Sequence, residues 1–112
     1  MGRGLSQQQK DILAVLPPFS DDLDCVDAPT RSDIVKLLGL DFTPSNRASV
    51  SRAVKRLYAR GLILHVWGFG RRETQRNIFN AERTGYARAT PEQVKARKEA
   101  QAAFLAQYQT AT

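Results

Sequence analysis

Apolar residues gather in short clusters along the chain, each bounded by residues that cap or break regular structure. Between Thr43 and Gly61, Val50, Val54, Leu57 and Tyr58 recur at helical spacing, which places them on one face. Winding that helix at about 100° per residue puts Ser45, Ala48, Ser49, Arg52, Lys55, Arg56 and Ala59 opposite. Thr43 can accept a bond from a first-turn amide, Pro44 suits the first helical position, and Gly61 suits the left-handed end. Upstream, Ser6 with Gln9 opens a helix whose apolar side is Ile12, Leu13, Val15 and Leu16, and Pro17-Pro18 stops it. Thr30 with Asp33 opens a second, cored by Ile34, Val35, Leu37 and Leu38 and ended by Gly39. Leu40 and Phe42 are expected as core plugs between that helix and the one from Pro44.

After Gly61 the pattern changes from helical spacing to β-branched and aromatic residues. Leu62–Trp67 predicts a strand, Gly68–Gln75 a turn-rich basic tip, and Arg76–Ala81 an antiparallel return strand. Thr90, Pro91 and Gln93 open a last helix running to about Gln109. Val94, Gln101 and Tyr108 repeat there every seven residues, with Phe104 and Leu105 between them and Ala96, Ala100 and Ala103 nearby. The chain therefore predicts an α+β fold, mainly α: a domain over residues 1–89 and a C-terminal helix over 90–112 that suits dimerisation.

With 112 residues, the chain suits one domain with a modest core. No apolar run reaches the ~18–20 residues that span a bilayer, and MGRGLSQQQ lacks a secretory apolar segment, so no membrane association and a cytoplasmic location are expected. The net charge of +6 is unevenly spread. Residues 1–45 carry four basic and seven acidic residues, and residues 46–112 carry thirteen basic and four acidic. No Asp or Glu occurs between Asp41 and Glu73. A concentrated basic surface favours phosphate-bearing partners, because neutralising phosphates releases condensed counterions.

Other chemistry is poorly supported. The aspartates Asp21, Asp22, Asp24 and Asp27 lack the turn glycine and terminal bidentate Glu of a calcium loop, so no metal is expected. Cys25 sits among them, and their charge raises a thiol pKa, which disfavours reactivity. His65 is the only histidine and is expected to be structural; Trp67 and Phe69 are expected to pack on the core rather than stack on bases. No nucleophile, paired-carboxylate or phosphate-loop pattern supports an enzyme, and neither a cofactor nor a small-molecule ligand is evident.

Two segments, SVSRAVKRLYARGLI (Ser49–Ile63) and GFGRRETQR (Gly68–Arg76), carry a family resemblance. From about Thr30 to Tyr86 the chain resembles the winged helix-turn-helix domains of prokaryotic transcription regulators, MarR-like in a broad sense. The resemblance implies a three-helix core with a two-stranded β-hairpin wing. It implies sequence-specific double-stranded DNA binding by a homodimeric regulator, with helix 44–60 in the major groove and wing 68–76 at the minor groove. Ser45, Asn46, Arg47 and Ser49 would then reach base edges or phosphates, with Arg52 central and Lys55 and Arg56 on phosphates. Arg71, Arg72, Gln75 and Arg76 would form the wing, and Thr30 and Arg31 would add a phosphate contact at a helix N-terminus. Each residue also has a plainer role: Ser45 and Asn46 can satisfy first-turn amides, Arg47 can pack its stem, and the wing arginines can keep a hairpin soluble. A different class of function, a winged-helix module for protein–protein assembly or RNA binding, uses the same basic face.

Overall fold

The computed structural model describes residues 4–73 and 78–110, with side chains described outside 69–81 and 109–110. The protein is α+β and mainly helical. In chain order it comprises α1 (Gln7–Val15), a 3-10 turn (Cys25–Asp27), α2 (Arg31–Leu37), α3 (Pro44–Ala59), β1 (Ile63–Glu73), β2 (Ile78–Arg88) and α4 (Pro91–Thr110). Among the described residues, no helix is long and apolar enough to cross a membrane.

Local side-chain chemistry sets each helix boundary. Ser6 Oγ accepts from the Gln9 amide at 3.2 Å, and the Ser6 amide donates to Gln9 Oε1 at 3.0 Å. Thr30 with Asp33 and Thr90 with Gln93 form the same reciprocal box. α2 and α3 both end on a glycine at φ 73°, Gly39 and Gly61. In each, the residue after the glycine donates back to the last full turn, Leu40 to Val35 and Leu62 to Leu57. A left-handed residue makes that reversal possible, and glycine adopts it without strain.

Ile12 and Leu16 of the first segment, Ile34 and Val35 of α2, Val50, Ala53, Val54 and Leu57 of α3, and Ile63 and Tyr86 of the hairpin form one core. A second, smaller cluster joins Cys25, Ala28, Val66 and Ala87, with Phe19 and Leu23 against it. The 19–29 loop thus lies along the hairpin. Its chain also completes the sheet: Phe19 N–H donates to Arg88 O, Arg88 N–H to Pro17 O, and Tyr86 N–H to Pro29 O, at 2.7, 2.8 and 2.9 Å.

The hairpin strands are longer than the sequence predicts. Gly68, Gly70, Arg71 and Arg72, expected in a tip, are in β1 and pair with Arg83, Ala81, Asn80 and Phe79. Residues 74–77, with the expected wing residues Gln75 and Arg76, lie outside the described residues. The return strand runs on to Arg88 rather than ending at Ala81. Gly68 and, on the return strand, Gly85 have a packing role. A Cβ on Gly68 would stand 2.9 Å from Cys25 Sγ, and one on Gly85 would overlap Ala28 O. Glycine in a strand marks close approach of another backbone as well as turning.

Four core expectations also differ. Leu37, Leu40 and Phe42 are 54%, 36% and 44% exposed. Phe42 lies under two cations, with Lys36 Nζ 5.7 Å and the Arg47 guanidinium 5.2 Å from its ring centre. That contact keeps an aromatic ring at the surface. Trp67 is 59% exposed, although Ile63 on the same face of β1 is fully buried in the main core.

Candidate nucleic-acid interface

The side of α3 away from the core carries Ser45, Ala48, Arg52, Lys55, Arg56 and Ala59, all exposed. Among the described residues, the ion pair within 4.0 Å joins Arg83 to Asp33, at 3.5 Å, and leaves this face out. Arg52, Lys55 and Arg56 therefore present their charge to solvent. α2 and α1 pack behind the helix, and the hairpin leaves directly from its C-terminal turn through Gly61.

Other expected contact residues are held within the fold. Ser49 is half-buried and donates from Oγ to Gln8 Oε1 of α1 at 3.1 Å. The Asn46 amide donates to Thr43 Oγ1, and its Nδ2 donates to Asp41 O at 2.8 Å, so Asn46 ties the start of α3 to the preceding link. Arg47 rests over Phe42. Thr30 Oγ1 is used by the Asp33 amide, which makes it a cap. The side chains of Arg71 and Arg72 lie outside the described residues.

Arg31 has a positioning role that its sequence context did not reveal. Its Nε donates to Tyr86 Oη at 2.9 Å and its Nη1 donates to Ser51 Oγ at 2.8 Å. One planar guanidinium thus spans α2, α3 and β2. A lysine cannot match that fork. Arg31→Lys is expected to lower stability by about 1 kcal/mol in urea unfolding, with Tyr86→Phe giving a partial version of the loss.

An aromatic stack beside it joins the hairpin to α3. The His65 ring lies parallel to Tyr58 at a centroid distance of 4.3 Å and meets Tyr86 edge-on at 5.2 Å. Burial pushes the His65 imidazole below its ordinary range, and the charges of Arg31 and Arg97 act in the same direction. The unfolded chain therefore takes up a proton near pH ~6.5 that the folded chain resists. The stability His65 gives as a neutral ring is complete above that pH and is lost as pH falls through its lower folded value. Urea midpoints measured from pH 7.5 down to 5 are expected to fall less in a His65→Phe chain, which keeps a stacking ring without a proton site. An identical pH slope in both chains would remove His65 from this account.

Burial is the main influence raising the Cys25 thiol pKa; the hydrogen bond with Asp24 and its charge add to it, and Arg83 opposes them. The thiol is buried and unreactive in character. Among the described residues, no three His, Cys, Asp or Glu side chains are grouped to hold a metal. No protein-family model matches the chain, and no curated protein and no solved structure matches it.

Proposed function

We propose that this chain is a winged helix-turn-helix module that binds double-stranded DNA sequence-specifically, as a small transcription regulator. The observation that carries the reading is the exposed face of α3, where Arg52, Lys55 and Arg56 stand without a carboxylate partner among the described residues. A 16-residue helix is about 24 Å long and about 10–12 Å across, which suits a major groove about 12 Å wide. α2 braces α3 through the Arg31–Ser51 contact, as the first helix of a helix-turn-helix braces the second. Each hairpin strand has 11 residues, about 36 Å, enough to reach along the backbone to a neighbouring groove.

In this reading Arg52 reads base edges from the centre of the face. Lys55, Arg56 and the exposed Ser45 hold phosphates. Arg47 stands at the edge of the contact, over Phe42. Ser49, Asn46, Thr30 and Arg31 set the helix in place. The hairpin is the wing in this reading, with Arg71 and Arg72 of β1 as its basic residues.

Fluorescence anisotropy with labelled duplexes over a salt series tests the proposal. Binding to random duplex is expected to weaken steeply with salt, and a sequence selected from a random pool is expected to bind about a thousandfold more tightly. Salt-independent binding, or preference for single-stranded RNA, would overturn it and favour an assembly or RNA-binding module.

A further inference from the structure

Among the described residues, the last helix is anchored at its base. Gln93 Nε2 donates to Phe19 O at 3.1 Å, Val94 lies against Gly61, and Arg97 Nη1 donates to His65 O at 2.5 Å. The Arg97 guanidinium also sits 5.0 Å from the centre of the Phe19 ring. Beyond Arg97, every residue from Lys98 to Tyr108 is exposed. The radius of gyration, 15.9 Å, exceeds the roughly 13 Å of a compact domain of this size, consistent with a projecting helix and a long hairpin.

That projecting part is unusual for a solvated helix. No charged residue occurs after Glu99. Phe104, Leu105 and Tyr108 are 65%, 56% and 69% exposed, and the Phe104 and Tyr108 rings stack at 6.5 Å. They continue the same stripe that begins at Gln93 and passes Arg97 and Gln101. Beside the base of that stripe, Phe19 and Ala96 line an open groove of about 1010 Å³ that reaches Phe104 and Leu105.

We infer that α4 pairs antiparallel with α4 of a second copy of this chain, so that Phe104 and Tyr108 of each copy fill the Phe19 groove of the other. The surface is self-complementary only in this orientation. The Phe104 and Tyr108 knobs are distal and the Phe19 end of the groove is proximal, so a twofold axis that matches them crosses the helices near Gln101. Parallel pairing would leave both grooves empty. It would also set Arg97 and Lys98 of the two copies near each other, whereas antiparallel pairing sets them beside the uncharged distal half. Ala100, near the crossing and on the edge of the same groove, permits close approach of the helices. An isologous contact of this kind closes at two copies. The inference is independent of what α3 binds.

Sedimentation equilibrium at micromolar concentration tests it. The parent chain is expected to be a dimer. Phe104→Glu combined with Tyr108→Glu is expected to be a monomer with an unchanged helical spectrum, since both positions are exposed. Phe19→Ala, at the groove, is expected to weaken association about tenfold or more. In a Cys25→Ala background, Gln101→Cys is expected to cross-link to its own copy on mild oxidation, and Tyr108→Cys is not. A monomeric parent, or an unaltered dimer in the double-Glu variant, would overturn the pairing. Cross-linking at Tyr108→Cys would overturn its antiparallel sense.

Discussion

A Gly85→Ala chain is expected to lose about 3 kcal/mol of folding stability, a large share of what a domain of this size holds. The added methyl would overlap Ala28 O and stand 2.5 Å from Ala28 Cβ and 2.7 Å from Ala28 C. Two of these atoms are backbone, and that backbone is fixed from several directions. Arg83 Nη2 donates to Ala28 O, Tyr86 N–H donates to Pro29 O, and Thr30 caps α2 one residue later. Relief of the clash must break at least one of these bonds or open the Cys25–Ala28–Val66–Ala87 cluster. Urea unfolding followed by circular dichroism checks the size of the loss. Gly4→Ala, where nothing lies within 4 Å, is the control and should unfold with the parent. Coincident curves for Gly85→Ala and the parent would show that the two segments are not in contact.

The second large effect is on binding. Arg52→Ala combined with Arg56→Ala is expected to lower affinity for a selected duplex by about 2–4 kcal/mol and to flatten its salt dependence. Every phosphate left unneutralised reduces the slope of log K against log salt by about 0.9. If Arg56 holds a phosphate and Arg52 a base edge, the slope falls by about one and the preference for the selected site relaxes as well. Stability should not change, because neither side chain serves the core. Lys10→Ala, a basic residue on α1 outside this face, controls for overall charge. Equal losses from Lys10→Ala and from the double variant would mean that net charge, not this face, sets affinity.

Local interactions made the helices legible. The three reciprocal caps, the proline at the start of α3 and the two terminal glycines act over a few residues, so their signals survive without tertiary knowledge. The stripe of Val50, Val54 and Leu57 was legible for the same reason. What the pattern did not disclose were contacts between distant segments. Gly68 and Gly70 carry turn chemistry, yet β1 runs through both, and at Gly68 the missing Cβ leaves room for Cys25. Phe42 carries core chemistry, yet two cations hold it at the surface. Arg31 and Ser49 carry binding chemistry, yet Tyr86, Ser51 and Gln8 engage them, and those partners are far away in the chain. The basic face of α3 was legible because periodicity alone places Arg52, Lys55 and Arg56 opposite the core.

The seam between the early loop and the second strand has a consequence for how the chain folds as it is made. Pro17, Phe19, Ala28 and Pro29 emerge early, but the groups that complete them belong to Arg83, Tyr86 and Arg88. The first three helices can form and pack while the loop's carbonyls still face water. The second cluster can close only once the hairpin exists, because Val66 and Ala87 belong to it and Gly85 packs against Ala28. Docking late-made residues onto an early loop carries a loop-closure cost that local helices avoid. A nascent chain cut short before Tyr86 would therefore expose Ile63, Val66 and the loop's apolar side together. Between synthesis of Pro29 and synthesis of Arg88, the loop's bonding partners do not yet exist.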